Sequence, residues 1–362
     1  MLSNTDMFFE LLQLSLGHRD SLSRNPSEEE WDTLYQLARK QSLTAVLYPT
    51  IEQCFAAAYP GRKPKILLRW YLQQQKNLKR YELQVERARQ LTHLFDKAGF
   101  KSCVLKGLGT AQYYPHPENR QCGDIDLWVK GRRDDILGFI KSKHFSVGHA
   151  DVKHVEVSFF RDTPVEIHFR PSWMFYVPSD NKLKAFFRRN ADRQFGNFQS
   201  QLGFARTTVD FDLVYSAVHI YRHIFDEGIG LRQLMDYHYI LQNSTEEQRQ
   251  AAAQTMSSLR MGCFMGGIMW ILQRVLGMKD HLLPCPADSK HGEFLLSEIL
   301  TGGNFGQFDE RITRIDKEER FKRGFYQLGR NLRFLSYYPT EVACSPFWKL
   351  GHYCWRKKKG YL

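Results

Sequence analysis

Two aspartates stand one residue apart at the start of an otherwise apolar run, Asp124-Ile-Asp126-Leu-Trp-Val. Because side chains at positions i and i+2 of a strand point to the same side, Asp124 and Asp126 are expected to project together. Two adjacent carboxylates repel each other, and burial beside an apolar strand adds a desolvation cost. A divalent cation offsets both costs, and Mg²⁺ prefers carboxylate and phosphate oxygens. The spacing favours a metal–nucleotide site, and the alternative is a strand end whose acids face solvent.

Flanking residues strengthen the metal interpretation. Upstream, Lys106 and Gly107 end the short apolar run SCVLKG before a helix-like segment, where a lysine and backbone N–H groups could hold phosphate. Downstream, two strand-like runs each place an acid between apolar residues, Glu156 in VEV and Glu166 in VEI. A third carboxylate would complete a two-metal arrangement for phosphoryl transfer. The residues alone leave open whether that acid is Glu156 or Glu166.

With these residues the chain resembles the DNA polymerase β-like nucleotidyltransferase superfamily, and within it the uncharacterised bacterial nucleotidyltransferases. The likeness rests on LKG at 105–107, DID at 124–126 and VEIH at 165–168, and its core covers about residues 80 to 200. It implies transfer of a nucleoside monophosphate from an NTP to an acceptor, with Mg²⁺ or Mn²⁺ as cofactor and release of pyrophosphate. It also favours Glu166 as the third acid.

The resemblance implies roles for further residues. The catalytic carboxylates and metal ligands would be Asp124, Asp126 and Glu166. Nucleotide contacts would come from Lys106, Gly107, Arg120 and His168, and base or acceptor contacts from Arg232 and Asp236. Without the resemblance, Arg120 could form a surface salt bridge, and Arg232 and Asp236 could pair across one helix turn. The pattern departs from the superfamily at Leu108, where a second small residue is usual, and in the 16 residues between Gly107 and Asp124.

The elements that must position these residues can be predicted from periodicity. A helix is expected to begin at PSEEEW, and a long helix is expected over about 65–98 with Gly99 as its C-cap. SCVLKG and DIDLWVK read as strands, RRDDILGFIKSKHF as a helix, and HVEVSFF and VEIHFRP as a hairpin joined by RDTP. Helical periodicity returns from about 208 in DFDLVYSAVHIYRHIF and LRQLMDYHYILQ.

These elements predict an α+β fold, with a small mixed-sheet nucleotidyltransferase core flanked by helical regions. The predicted divisions are an N-terminal helical region (1–78), the α/β core (79–205) and a C-terminal helical domain (206–362).

Composition limits the partners and the compartment. The 51 basic and 39 acidic side chains give a net charge of +12, which favours an anionic partner. Nucleic acid stays open as a partner but is not favoured, because no RNA-binding motif is present. Seven cysteines without a CxxC pair indicate free thiols in a reducing cytoplasm. The first residues lack the features of a signal peptide, and the run MGCFMGGIMWILQ is too short for membrane insertion.

The remaining motifs carry weaker signals. His219 and His223 are spaced for one helix face, but without a third ligand a zinc site is not favoured. TGGNFGQF is interpreted as a connector, and WRKKKGYL as a solvated terminus.

Two functions compete. The first is a cytoplasmic metal-dependent nucleotidyltransferase, and the second is a non-catalytic nucleotide- or anion-binding module with a nucleotidyltransferase-like fold. The acceptor, the NTP and the oligomeric state are left open by the sequence.

Overall fold

Four helices precede the sheet, and local sequence sets their ends. The computed structural model describes residues 3–59, 61, 64–309, 311 and 329–360. The four helices are α1 (Asn4–Ser15), α2 (Glu28–Lys40), α3 (Thr44–Ala58) and α4 (Lys65–Lys97). Ser27 caps α2 in a capping box with Glu30. After α4, Gly99 adopts φ +82°, and the Phe100 N–H donates to the Phe95 carbonyl at 2.9 Å. Both predicted boundaries are confirmed.

A mixed five-stranded sheet forms the centre of the fold. Its strands are β1 (Ser102–Val104), β2 (Ile125–Val129), β3 (Val147–Ala150), β4 (His154–Val157) and β5 (Val165–His168). Their spatial order is β1-β2-β5-β4-β3, with β2 and β5 parallel and the other neighbours antiparallel. The connections contain α5 (Leu108–Ala111) and α6 (Arg133–Ser142). The β4–β5 hairpin was predicted and is confirmed, whereas edge strand β3 was not predicted because VGHA lacks apolar alternation.

The two faces of β2 differ in chemistry. Ile125, Leu127 and Val129 pack in one hydrophobic cluster with residues of α4 and α6. Asp126 and Trp128 point to the other face, as strand alternation requires. There, the Trp128 ring lies 4.6 Å from that of Phe195. This second face is therefore aromatic at one end of β2 and acidic at the other.

Helices cover the second face and continue to the C-terminal part. They are α7 (Val177–Gly196), α8 (Val209–Asp226), α9 (Leu231–Gln242), α10 (Glu246–Ser258), α11 (Gly262–Leu276), α12 (Ser289–Gly302) and α13 (Pro339–Lys358). A two-stranded ribbon of β6 (Phe198–Gln199) and β7 (Phe204–Ala205) follows α7. The predicted helices at α8 and α9 are confirmed. They are buried on almost all sides, because neighbouring helices surround them.

The predicted α+β class, a mixed sheet with helical regions at both ends, is confirmed. One hydrophobic cluster joins the first helices to the last, from Met7 to Val342. Helix α4 passes through residue 78 without a break, and the divisions at 78 and 205 stay predictions. All seven cysteines are free thiols, as predicted. Among the described residues, no helix combines the length and apolarity needed to span a bilayer.

Candidate functional site

Strand register brings three acids and two histidines together on the second face of the sheet. Asp126 of β2 pairs with Glu166 of β5, and Glu166 pairs with Glu156 of β4. Two residues further along each strand, His168 of β5 pairs with His154 of β4. Paired residues share a face, so Asp126, Glu166 and Glu156 form an acid row beside the two histidines. Glu166 lies on the inner strand, between the other two acids.

His168 links the first two members of the acid row. Its Nε2 lies 2.9 Å from Asp126 Oδ1 and 3.1 Å from Glu166 Oε2. Burial opposes protonation of His168, but these hydrogen bonds outweigh it and raise its pKa to about 9. Burial also opposes ionisation of Glu166, yet its bond to His168 and the nearby Lys106 charge lower its pKa. An imidazolium therefore joins two carboxylates.

Lys106 supplies a second cation to the acid row. The Leu105 N–H donates to the Asp126 carbonyl at 3.0 Å, which extends the β1–β2 pairing to the start of the next turn. Lys106 Nζ then lies 3.2 Å from Asp126 Oδ2. Burial works against its charge, but Asp124, Asp126 and Glu166 outweigh burial and raise the pKa of Lys106. Gly107 follows with φ +64°, a conformation that glycine adopts without strain, and turns the chain into α5.

Asp124 lies beside this network. It is half-buried immediately before β2, and burial together with the Asp126 charge raises its pKa. Asp126, Glu166 and His168 each offer a ligand atom, and these atoms lie within 4.8 Å of one another. Asp124 is not part of that group. Two carboxylates suit a hard divalent cation such as Mg²⁺ or Mn²⁺, and His168, as an imidazolium, would orient them and not bind the cation itself. The residues present thus fit a divalent metal.

Three cavities meet at Asp124. The site cavity, about 480 Å³, is lined by acids that include Glu166 and by basic groups that include Lys106, Lys153 and Arg222. The lateral cavity, about 590 Å³, extends past Gly123, Glu156 and Phe160. The small cavity, about 50 Å³, is bounded by Arg120, Arg232 and Asp236. The site cavity has the size of a small-molecule pocket, and its mixed charges suit an anion bound through metal and lysine.

The structure places Arg120 and Asp236 in a buried ion pair. Arg120 Nε and Nη2 donate to the two carboxylate oxygens of Asp236 at 2.8 and 2.7 Å, and the Tyr114 hydroxyl donates to the same carboxylate at 2.6 Å. Arg232 instead donates to the Gln121 carbonyl. The alternative pairing of Arg232 with Asp236 is therefore replaced by Arg120–Asp236, and Arg120 is buried, not on the surface.

Several residues of the site cavity were not singled out from the sequence. Lys153, 4.4 Å from the Trp173 ring centroid, follows no motif. Arg222 lies on α8 between His219 and His223, whose rings are 4.2 Å apart and also line the cavity. Phe305 comes from TGGNFGQF, interpreted as a connector, and lines all three cavities. A glycine-rich break between helices was the only signal for it.

Known proteins are similar to parts of this chain. The family described as "Uncharacterised nucleotidyltransferase" matches residues 27–277. The crystal structure of an antigenic nucleotidyltransferase-like protein from Paracoccidioides brasiliensis is similar at 11% identity, covering 58% of this chain and 96% of that chain with a TM-score of 0.34. None of the curated proteins matches. The family match spans more than half of the chain, so the chain belongs to that nucleotidyltransferase family, as the motifs predicted.

Proposed function

We propose that this member of the uncharacterised nucleotidyltransferase family transfers a nucleoside monophosphate from an NTP to an acceptor hydroxyl or similar group, with release of pyrophosphate. One observation carries the proposal. Asp126 and Glu166 lie side by side in register on parallel strands, and Glu166 lines the site cavity together with Lys106, whose Nζ is 3.2 Å from Asp126 Oδ2. Paired carboxylates beside a cation are the groups that phosphoryl transfer needs to hold metal and phosphate.

In this proposal Asp126 and Glu166 hold a divalent cation, Mg²⁺ or Mn²⁺, and Asp124 provides a further carboxylate at the cavity wall. The cation would supply charge neutralisation at the phosphates. Glu166 is preferred to Glu156 as the third acid, because Glu166 neighbours Asp126 directly while Glu156 lies one strand further away. His168 orients both ligand carboxylates through its Nε2.

Lys106 and Gly107 would contact the triphosphate from the turn between β1 and α5. Arg120, Arg232 and Asp236 line the small cavity, which supports contacts from them to the nucleotide or the acceptor. Because Arg120 is already paired, its contribution would be to fix the wall of this cavity.

The acceptor would approach through the lateral cavity. That cavity shares Asp124, Glu156 and Glu166 with the site cavity, so the two open onto the same carboxylates from different sides. In-line displacement requires the attacking and leaving groups to lie on opposite sides of the reacting phosphorus, and two meeting cavities meet this need. The free thiols support the cytoplasm as the compartment.

The test combines binding with product release. Calorimetric binding of each of the four NTPs, with Mg²⁺, with Mn²⁺ and without metal, is compared between the wild type and Asp126→Asn, and pyrophosphate release is followed in parallel. We expect metal-dependent binding and pyrophosphate release that falls at least ~100-fold in the variant, the scale of losing a transition-state charge contact. Asp134→Asn is the matched control, because Asp134 is an exposed acid on α6, whose apolar residues pack on the opposite face of the sheet. Full activity of Asp126→Asn would refute the proposal.

A specific observation favours the second function, a non-catalytic nucleotide- or anion-binding module. Lys106 and the His168 imidazolium already neutralise Asp126 and Glu166 without any metal. Such a module would bind an NTP without a requirement for metal and would release no pyrophosphate. The same experiment separates the two functions.

A further inference from the structure

The connection after α12 lies against the candidate site. Its residues 303–306, Gly-Asn-Phe-Gly, fall outside the segment that the family matches, 27–277. Phe305 is half-buried and lines the site, lateral and small cavities where they meet at Asp124. An aromatic ring at that junction touches whatever fills any of the three cavities.

The connection is held in an unusual backbone conformation. Phe305 adopts φ 52° and ψ 33°, in the left-handed region that aromatic residues rarely occupy. Gly306 has φ +65°, and a Cβ atom there would lie 2.2 Å from the Glu227 carbonyl oxygen. Gly303 has φ +64°, and its Cβ would lie 2.9 Å from the Lys40 carbonyl oxygen. The two glycines let the backbone of the connection lie close to its neighbours. Phe305, a non-glycine residue in the left-handed region, carries backbone strain, and strain of this kind is concentrated at functional sites.

Side chains of α8 and α9 fix the Phe305 ring. The Gln233 amide donates to Asn304 Oδ1 at 3.1 Å, which anchors the preceding residue. The His223 ring centroid lies 5.1 Å from that of Phe305 in a T-shaped arrangement, and the Arg232 guanidinium carbon lies 5.8 Å from it. The ring is thus oriented before any ligand binds, which lowers the ordering cost of stacking on it.

We infer that Phe305 is the platform on which the base of the nucleotide stacks. The inference rests on the proposed function, which places the triphosphate at Lys106 and the acid row. An NTP has one planar aromatic group, and an oriented aromatic side chain at the junction of the cavities is the surface that such a group prefers. Stacking on an aromatic ring accepts every base, so Phe305 would add affinity for all NTPs and little choice among them.

The experiment compares nucleotides with a base-free probe. Binding of ATP, GTP, CTP, UTP and inorganic tripolyphosphate is measured by calorimetry with Mn²⁺ or Mg²⁺, on wild type, Phe305→Ala and Phe305→Tyr. Base–aromatic stacking predicts that Phe305→Ala weakens NTP binding about 5- to 150-fold and leaves tripolyphosphate binding unchanged. Phe305→Tyr keeps the ring and is expected to bind within about 3-fold of wild type. Phe308→Ala is the matched control, because Phe308 is an exposed aromatic of the same segment outside the three cavities.

The outcomes separate this inference from the proposed function. Unchanged NTP affinity in Phe305→Ala, or equal losses for NTPs and tripolyphosphate, would overturn the stacking role while metal-dependent binding and pyrophosphate release still supported the enzyme. If no NTP binds wild type under any metal condition, both fail. Circular dichroism and thermal unfolding of Phe305→Ala show whether it is folded, and Phe305→Leu, which keeps apolar bulk without an aromatic face, repeats the test if it is not.

Discussion

The Arg120–Asp236 pair provides a quantitative test of whether these residues stabilise the fold. Arg120 is 4% exposed and Asp236 is 7% exposed, and two hydrogen bonds join them. Asp236→Leu keeps the approximate size of the side chain but leaves the Arg120 guanidinium buried without a counter-charge. Arg120→Met leaves the Asp236 carboxylate with the Tyr114 hydroxyl as its remaining close partner.

Breaking a buried pair from one side costs about 3–5 kcal/mol, because the remaining charge stays desolvated. An unfolding entropy of roughly 2.1 cal/mol/K per residue gives about 0.76 kcal/mol/K for 362 residues. Each single variant should therefore lower Tm by about 4 to 7 °C. Replacing both residues removes both charges, so the double variant should lose clearly less than the sum of the two single losses.

The assay is calorimetric thermal unfolding of the four proteins of this cycle, together with NTP binding. Lys130→Met serves as the control, because Lys130 pairs with Asp192 on the surface and its loss should cost less than about 1 kcal/mol. The reasoning is refuted if the single losses are additive, or if each is as small as the control. Normal stability with weakened NTP binding in Arg120→Met would instead identify Arg120 as a direct nucleotide contact.

Three further predictions concern the acid row, the Phe305 connection and acid stability. Glu166→Gln should reduce the rate of pyrophosphate release at least ~100-fold and Glu156→Gln less than ~10-fold, because Glu166 is paired with Asp126 and Glu156 is not. Steady-state kinetics measure both rates, and the reverse order would contradict the choice of Glu166 as third acid. Gly306→Ala should lower the free energy of unfolding by about 2 kcal/mol or more, because the new Cβ would lie 2.2 Å from the Glu227 carbonyl oxygen. Gly302→Ala should cause no such loss, because no atom lies within 4 Å of its added Cβ; urea unfolding measures both variants, and equal losses would disprove the close approach at Gly306. Burial lowers the pKa of His238 to about 3, below its unfolded value of about 6.5, so its contribution to stability is present above pH 6.5 and is lost as pH falls towards 3, at about 1.4 kcal/mol per pH unit. His238→Phe should therefore flatten the pH dependence of the free energy of unfolding in urea between pH 6 and 4, and an unchanged slope would argue against a buried neutral imidazole.

Several parts of the fold were predictable because local rules decide them. Ser27 and Gly99 set helix ends through backbone hydrogen bonding and a positive φ, both read directly from residue type. The β4–β5 hairpin follows from two alternating runs and a turn signal. Strand β3 escaped prediction because an edge strand needs little apolar alternation, and its partners are supplied by β4.

The sequence by itself determined which residue types are available to the candidate site: two aspartates spaced for one face of a strand, a lysine–glycine turn before them, and an acid in each hairpin strand. Only the tertiary structure decided which of these residues meet. Parallel pairing of β2 with β5 put Glu166, not Glu156, beside Asp126. Arg120 and Asp236 form a buried ion pair, and the connection after α12 places Phe305 in the wall of the cavities. These contacts join residues far apart in the chain, and no local periodicity specifies them, because strand order and helix packing depend on the burial of the whole core.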